Sequence, residues 1–113
     1  MIYKKLGTSN TKVSAICLGT MTFGEQNSKK ESFSLMDYAN EKGVNFFDTA
    51  ELYAIPPKEK TYGKTEEIIG NWFKTKKNRD KIILATKIAG PGLKWIRGGG
   101  AQYSSKSIED ATN

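Results

Sequence analysis

Gly43 is followed by a short apolar run, Val44 to Phe47, which breaks into Asp48-Thr49-Ala50-Glu51-Leu52-Tyr53. A run of that length suits one buried strand. Gly43 suits the left-handed residue that closes a preceding helix. An apolar strand that opens into polar residues has the form of a strand's carboxyl end in a βα repeat, where such folds keep their chemistry. This stretch constrains the fold more than any other, because everything around it has to supply neighbouring parallel strands and covering helices.

The flanking sequence supplies both. Ile2 to Leu6 and Lys12 to Ser14 surround Gly7-Thr8-Ser9-Asn10 and read as a hairpin. Ala15-Ile16-Cys17-Leu18 is a continuous apolar run and is expected to be the first buried strand, with Gly19 to Gly24 as its loop. Ser28 precedes Glu31 by three residues, a capping-box spacing. Phe33, Met36 and Ala39 then recur at helical spacing, so a helix is expected over about Lys29 to Lys42. After Tyr53, Pro56-Pro57 disfavours helix and a loop is expected. Glu66 and Glu67 suit the first turn of a second helix, whose apolar stripe is Ile68, Ile69, Trp72 and Phe73. Ile82 to Lys87 reads as the third strand. Lys74 to Lys81 is the densest basic run and reads as a helix end plus turn. Ala89 to Ser104 is Gly-rich and basic and is expected to be a long mobile loop, with a further helix starting at Ser105. Strand, helix, strand, helix, strand is the order of an α/β fold with a parallel sheet.

Length bounds the architecture. The chain has 113 residues, whereas a complete (β/α)8 barrel needs about 250. The expected fold is therefore an incomplete (β/α)8 barrel: the N-terminal hairpin plus about three βα units, as one domain over residues 1–113. Three parallel strands leave two open edges and one uncovered face. The isolated chain is expected to be molten, aggregating or rapidly degraded, and inactive, unless a complementary fragment or self-association covers that face.

Charge and cysteine usage narrow the chemistry. The net charge is +6, from 18 Lys+Arg against 12 Asp+Glu. The excess is spread out, which fits a solvated surface rather than a nucleic-acid or membrane partner. Cys17 is the single cysteine, so no intrachain disulfide forms, and a reduced, cytoplasmic compartment is favoured. Its apolar setting predicts a buried structural thiol. There is no histidine, which excludes Ser-His-Asp triads and histidine-containing zinc sites built from this chain alone, and no metal site is expected.

Asp48 closes the second strand and Lys87 the third. In parallel βα units those ends share one face, with Tyr53 looping back over them. A lysine beside a phenol stabilises the phenolate and lowers its pKa from about 10. A carboxylate beside the lysine keeps it charged and oriented. Such a trio can give a proton to a carbonyl oxygen while hydride arrives at carbon. The same trio can equally be an ordinary ion pair beside a tyrosine.

Asn45 to Tyr53 closely resembles the Asp-to-Tyr segment of the aldo-keto reductase family. Ile16 to Gly24 resembles its first barrel strand and loop, Glu66-Glu67-Ile68-Ile69-Gly70 its second-helix signature, and Ala85-Thr86-Lys87 its lysine strand. Gly19 to Asn27 and the Pro56-Pro57 loop are most similar to the bacterial Tas-like branch. The resemblance runs over almost the whole chain and covers about three of the eight βα units. It implies Tyr53 as general acid, Lys87 as the neighbour that lowers its pKa, and Asp48 as the partner of Lys87. It implies Gly19, Thr20, Met21 and Asp48 near the nicotinamide and its ribose, with NADP(H) as cofactor and a small-molecule carbonyl compound as substrate. Ala54 departs from the Gly that many members carry after the tyrosine. The family's catalytic histidine lies on a following strand, beyond these residues, as does its grip on the adenosine phosphate. The implied function is NADPH-dependent reduction of an aldehyde or ketone, carried here by a truncated N-terminal portion. The competing readings are a non-catalytic truncated or split fragment, with a complementary C-terminal fragment as candidate partner, and a cofactor-sensing accessory subunit.

Overall fold

The computed structural model describes residues 1–99 and 103–112. A hairpin, β1 (Tyr3–Lys5) and β2 (Lys12–Ser14), pairs antiparallel with Lys4 opposite Val13. Three short strands, β3 (Leu18–Gly19), β4 (Phe46–Asp48) and β5 (Ile83–Ala85), form a parallel sheet in the order β3-β4-β5. Helix α1 (Lys29–Glu41) links β3 to β4, and α2 (Lys64–Lys76) links β4 to β5. A final helix, α3, spans Ser105–Thr112. The alternation expected of an incomplete α/β barrel is present.

Local chemistry sets the helix ends. Ser28 caps α1: its Oγ accepts from Glu31 N, and the Glu31 carboxylate accepts from Ser28 N at 2.8 Å. This is the capping box expected from the spacing. Gly43 has φ 81°, the left-handed conformation in which a side chain is strained. It leads the chain directly into β4. Lys77 ends α2 with φ 51°, and its N–H donates to Phe73 O. The basic run thus lies at a helix end and a 3-10 turn, Arg79–Lys81.

Sheet register decides which residues are buried. Leu18, Phe47 and Leu84 are aligned across the three strands and face the helices. There Phe47 and Trp72 are fully buried and pack with Met36, Ile68, Ile69 and Ile82. Gly19, Asp48 and Ala85 are the next aligned row. Side chains alternate along a strand, so this row faces away from the helices, together with Cys17, Phe46 and Ile83. The hairpin is tied to the sheet through Asn45, whose Oδ1 accepts from Ser14 N at 2.7 Å and whose Nδ2 donates to Lys12 O at 3.1 Å.

Three expectations are corrected. Cys17 is exposed rather than buried. The first strand is not the whole run Ala15 to Leu18: the chain bends at Ala15 and Ile16, and pairing starts only at Leu18. Cys17 is left on the sheet side opposite the face that α1 and α2 cover. The segment from Ala89 is also not simply a mobile loop. Ala89 and Ile96 are buried, and a 3-10 turn at Arg97–Gly99 is tied back to Glu51. Residues 100–102 of that segment lie outside the described residues.

The outer edges of β3 and β5 carry no strand partner among the described residues, and Ile16 and Tyr38 are about 60% exposed. Open parallel edges beside apolar surface recruit further strands. Sedimentation velocity of the purified chain is expected to show concentration-dependent association. A single monomeric boundary across the whole concentration range would count against that expectation.

Candidate active site

The parallel ladder continues past the assigned strand ends. Thr49 N donates to Ala85 O at 2.9 Å and Glu51 N donates to Lys87 O at 3.0 Å. The Asp48 turn and the Lys87 strand end are thereby held side by side. The Lys87 ammonium donates to Asp48 Oδ1 at 2.9 Å, to Asp48 Oδ2 at 2.8 Å and to the Thr49 carbonyl at 2.7 Å. A lysine has three N–H donors, so this set fixes the ammonium in place. The Tyr53 ring lies beside it, with its centroid 5.0 Å from Lys87 Nζ. Asp48, Tyr53 and Lys87 are thus brought together at the carboxyl ends of β4 and β5. Partial desolvation pulls the Lys87 pKa down. Its hydrogen bonds to Asp48, with the negative charge of Asp48 and the nearby Tyr53, outweigh that and raise it above the usual lysine value.

The loop after β3 forms the adjoining wall. Gly19 is exposed, and nothing lies within 4 Å of where a Cβ would project. Met21 is also exposed. Thr20 differs from its neighbours. It is fully buried, its Oγ1 donates to Asp48 O at 2.8 Å, and its N–H donates to the same carbonyl. Its side chain braces the Asp48 backbone instead of facing a ligand. Ile55 N donates to Met21 O at 2.8 Å, which ties the loop behind Tyr53 to the loop behind β3. Gly19 and Met21 are thus exposed beside Asp48, at the carboxyl ends of β3 and β4.

Two neighbours carried no local sequence signal. Cys17 lies on the same sheet face as Asp48 and Lys87. Partial burial of its thiol and the Asp48 carboxylate push its pKa up, against the opposing pull of Lys87. A thiol shifted that way is a poor nucleophile at neutral pH. Glu51 is the second. Its side chain is 12% exposed and accepts from Arg97, Tyr62 and Ala89 N. Burial raises its pKa, but bonds from Arg97, Ala89 and Tyr62 together overcome this and lower it below the usual glutamate value. A carboxylate depressed by folding contributes stability that is complete above its unfolded pKa and is lost as pH falls through the lower folded value. Acid titration of the wild-type chain should therefore lose structure in that window, and Glu51→Gln should flatten this part of the profile. Superimposable circular-dichroism titrations of the two proteins would rule the contribution out.

Comparison with known proteins agrees with this geometry. The profile of the aldo/keto reductase family matches residues 15–113. Protein tas of Escherichia coli strain K12 is 45% identical over 91 residues, covering 80% of this chain and 26% of that protein. Norsolorinic acid reductase B of Dothistroma septosporum is 42% identical over 95 residues, covering 77% of this chain and 22% of that protein. Among solved structures, the holo form of aldo-keto reductase AKR11C1 from Bacillus halodurans aligns over 98% of this chain and 34% of its own, with TM-score 0.76 and 32% identity. The chain thus spans about a quarter of the length of these curated relatives. Over the greater part of its residues, and in the sheet that carries Asp48 and Lys87, the chain belongs to the aldo/keto reductase family.

Proposed function

We propose that Asp48, Tyr53 and Lys87 are the proton-delivering part of an NADPH-dependent reductase site that converts an aldehyde or ketone to an alcohol. The observation that carries this reading is the fixed Lys87 ammonium, bonded to both Asp48 oxygens and seated 5.0 Å from the Tyr53 ring centroid. Tyr53 gives its phenolic proton to the substrate carbonyl oxygen as that oxygen gains charge. Lys87 stays charged and faces the ring on which negative charge is left. Asp48 holds Lys87 there. NADPH, when bound, supplies the hydride for the carbonyl carbon. Gly19, Met21 and Asp48 would hold its nicotinamide end, and Thr20 would support them through the Asp48 backbone. The substrate class is a small carbonyl compound.

These groups act within a whole barrel, of which this chain supplies the first βα units. The test is a graft in which residues 1–112 replace the aligned part of the Bacillus halodurans aldo-keto reductase. Consumption of NADPH that depends on an added aldehyde, with the alcohol as product, is the expected result. A folded graft that binds NADPH and reduces none of a panel of aldehydes and ketones would overturn the reading. The chain alone should bind NADPH very weakly, because Gly19, Met21 and Asp48 would meet only the nicotinamide end of the cofactor. Saturable binding at micromolar NADPH in a fluorescence titration would contradict this.

A further inference from the structure

We propose that Glu51 is a positioning residue, whose carboxylate locks the Asp48–Tyr53 turn, the end of the Lys87 strand and the Arg97 turn into one unit and so fixes the Tyr53 phenol against the Lys87 ammonium. The proposal rests on the reductase reading for its catalytic consequence, but not for its structural content.

Glu51 lies two residues before Tyr53, and its acceptors are fully used. Arg97 donates from Nη1 to Oε1 and from Nη2 to Oε2 at 3.1 Å. Tyr62 Oη donates to Oε1 at 2.9 Å and Ala89 N donates to Oε2 at 2.8 Å. A carboxylate offers about four lone-pair directions, and here four donors from three separate segments occupy them. Ala89 is two residues beyond Lys87, and Glu51 N donates to Lys87 O. Glu51 therefore holds the backbone beside the lysine through both its main chain and its side chain. Glu51 is not a solvated surface charge, since its side chain is only 12% exposed. Arg97 is not free to bind a substrate anion, since the outer nitrogens of its guanidinium face Glu51. Arg97 also has φ 44°. A non-glycine residue stays in that region only where its surroundings hold it, and the side-chain pairing with Glu51 is one such hold, beside the turn's own backbone bonds such as Gly99 N to Ile96 O at 2.9 Å.

The test has two arms. In the chain itself, Glu51→Gln keeps the shape of the side chain and removes its charge. Amide exchange over residues 89–99 should quicken roughly ten- to a hundredfold, the effect of losing a charge-assisted bond, while α1 amides are unchanged. The Lys87 15Nζ resonance should shift. Should Glu51→Gln fail to fold, Arg97→Met, which leaves the Tyr62 and Ala89 bonds in place, decides the same question. Unchanged exchange and an unshifted Lys87 signal overturn the proposal. In the grafted barrel, Glu51→Gln should lower kcat with little change in KM for NADPH, Glu51→Asp should restore part of it, and Glu51→Gln should add nothing in a Tyr53→Phe background. Equal losses in both backgrounds would mean that Glu51 acts on general stability and would overturn the positioning role. A graft that never reduces a carbonyl sinks the reductase reading, and the exchange arm still decides for or against Glu51.

Discussion

Replacement of Trp72 by alanine is expected to unfold the chain. Trp72 is fully buried between α1, α2 and the sheet. Its ring lies 5.7 Å from Phe47 and 5.4 Å from Phe73, centroid to centroid. Its indole N–H donates to Asp37 Oδ1 at 2.8 Å, tying α2 to α1. Truncating a buried Trp costs about 3–5 kcal/mol, and a domain has only about 5–15 kcal/mol in total. A small three-stranded core has little reserve beyond that range. Near-ultraviolet circular dichroism of Trp72→Ala should lose its aromatic signal at room temperature. Trp72→Phe should behave far more mildly. It keeps most of the ring packing and gives up one bond to Asp37, which is exposed enough for water and is also paired with Lys76 at 2.9 Å. An alanine variant with the denaturant midpoint of the wild type would show that the core does not sit on Trp72.

The contrast between those two variants reflects what the sequence can carry. Trp72 belongs to an apolar stripe with 3.6-residue spacing, so its burial follows from α2 alone. The Ser28–Glu31 box and the left-handed Gly43 are local as well, and both are found where their residue types require them. The Asp48–Lys87 pair spans 39 residues, yet it was legible, because parallel strands bring their carboxyl ends to one side. Cys17 was not. A continuous apolar run does not say which of its residues faces the helices, and a two-residue strand at a sheet edge has no alternation to read. Thr20 was hidden for a similar reason: a loop threonine beside glycines gives no sign that its hydroxyl will go to the Asp48 carbonyl. Glu51 and Arg97, 46 residues apart, left no trace in periodicity or spacing. Their bond turns the segment after Ala89, loop-like in composition, into an anchored turn.

The largest functional effect is expected from Tyr53→Phe in the grafted barrel. The phenol is the group that can lose a proton toward a carbonyl oxygen, and general acid catalysis contributes about 10²–10⁴-fold. Removing one oxygen leaves the ring and its contact with Lys87 nearly intact. Cofactor affinity should therefore hold while kcat falls by about that factor. Lys87→Met should cut turnover comparably by a different route. It leaves the phenol but removes the fixed charge beside it, and it abandons both Asp48 oxygens and the Thr49 carbonyl, three acceptors now filled by one ammonium. Stability should fall as well in that variant, though Asp48 is exposed enough for water to replace part of the loss. The two variants thus separate proton donation from its electrostatic support: Tyr53→Phe loses rate at constant melting temperature, and Lys87→Met loses both. Stopped-flow measurement of NADPH oxidation under single-turnover conditions, with thermal denaturation of each variant, reads the difference. Near-wild-type single-turnover rates in Tyr53→Phe would remove Tyr53 from the chemistry and leave Asp48 and Lys87 as a structural ion pair.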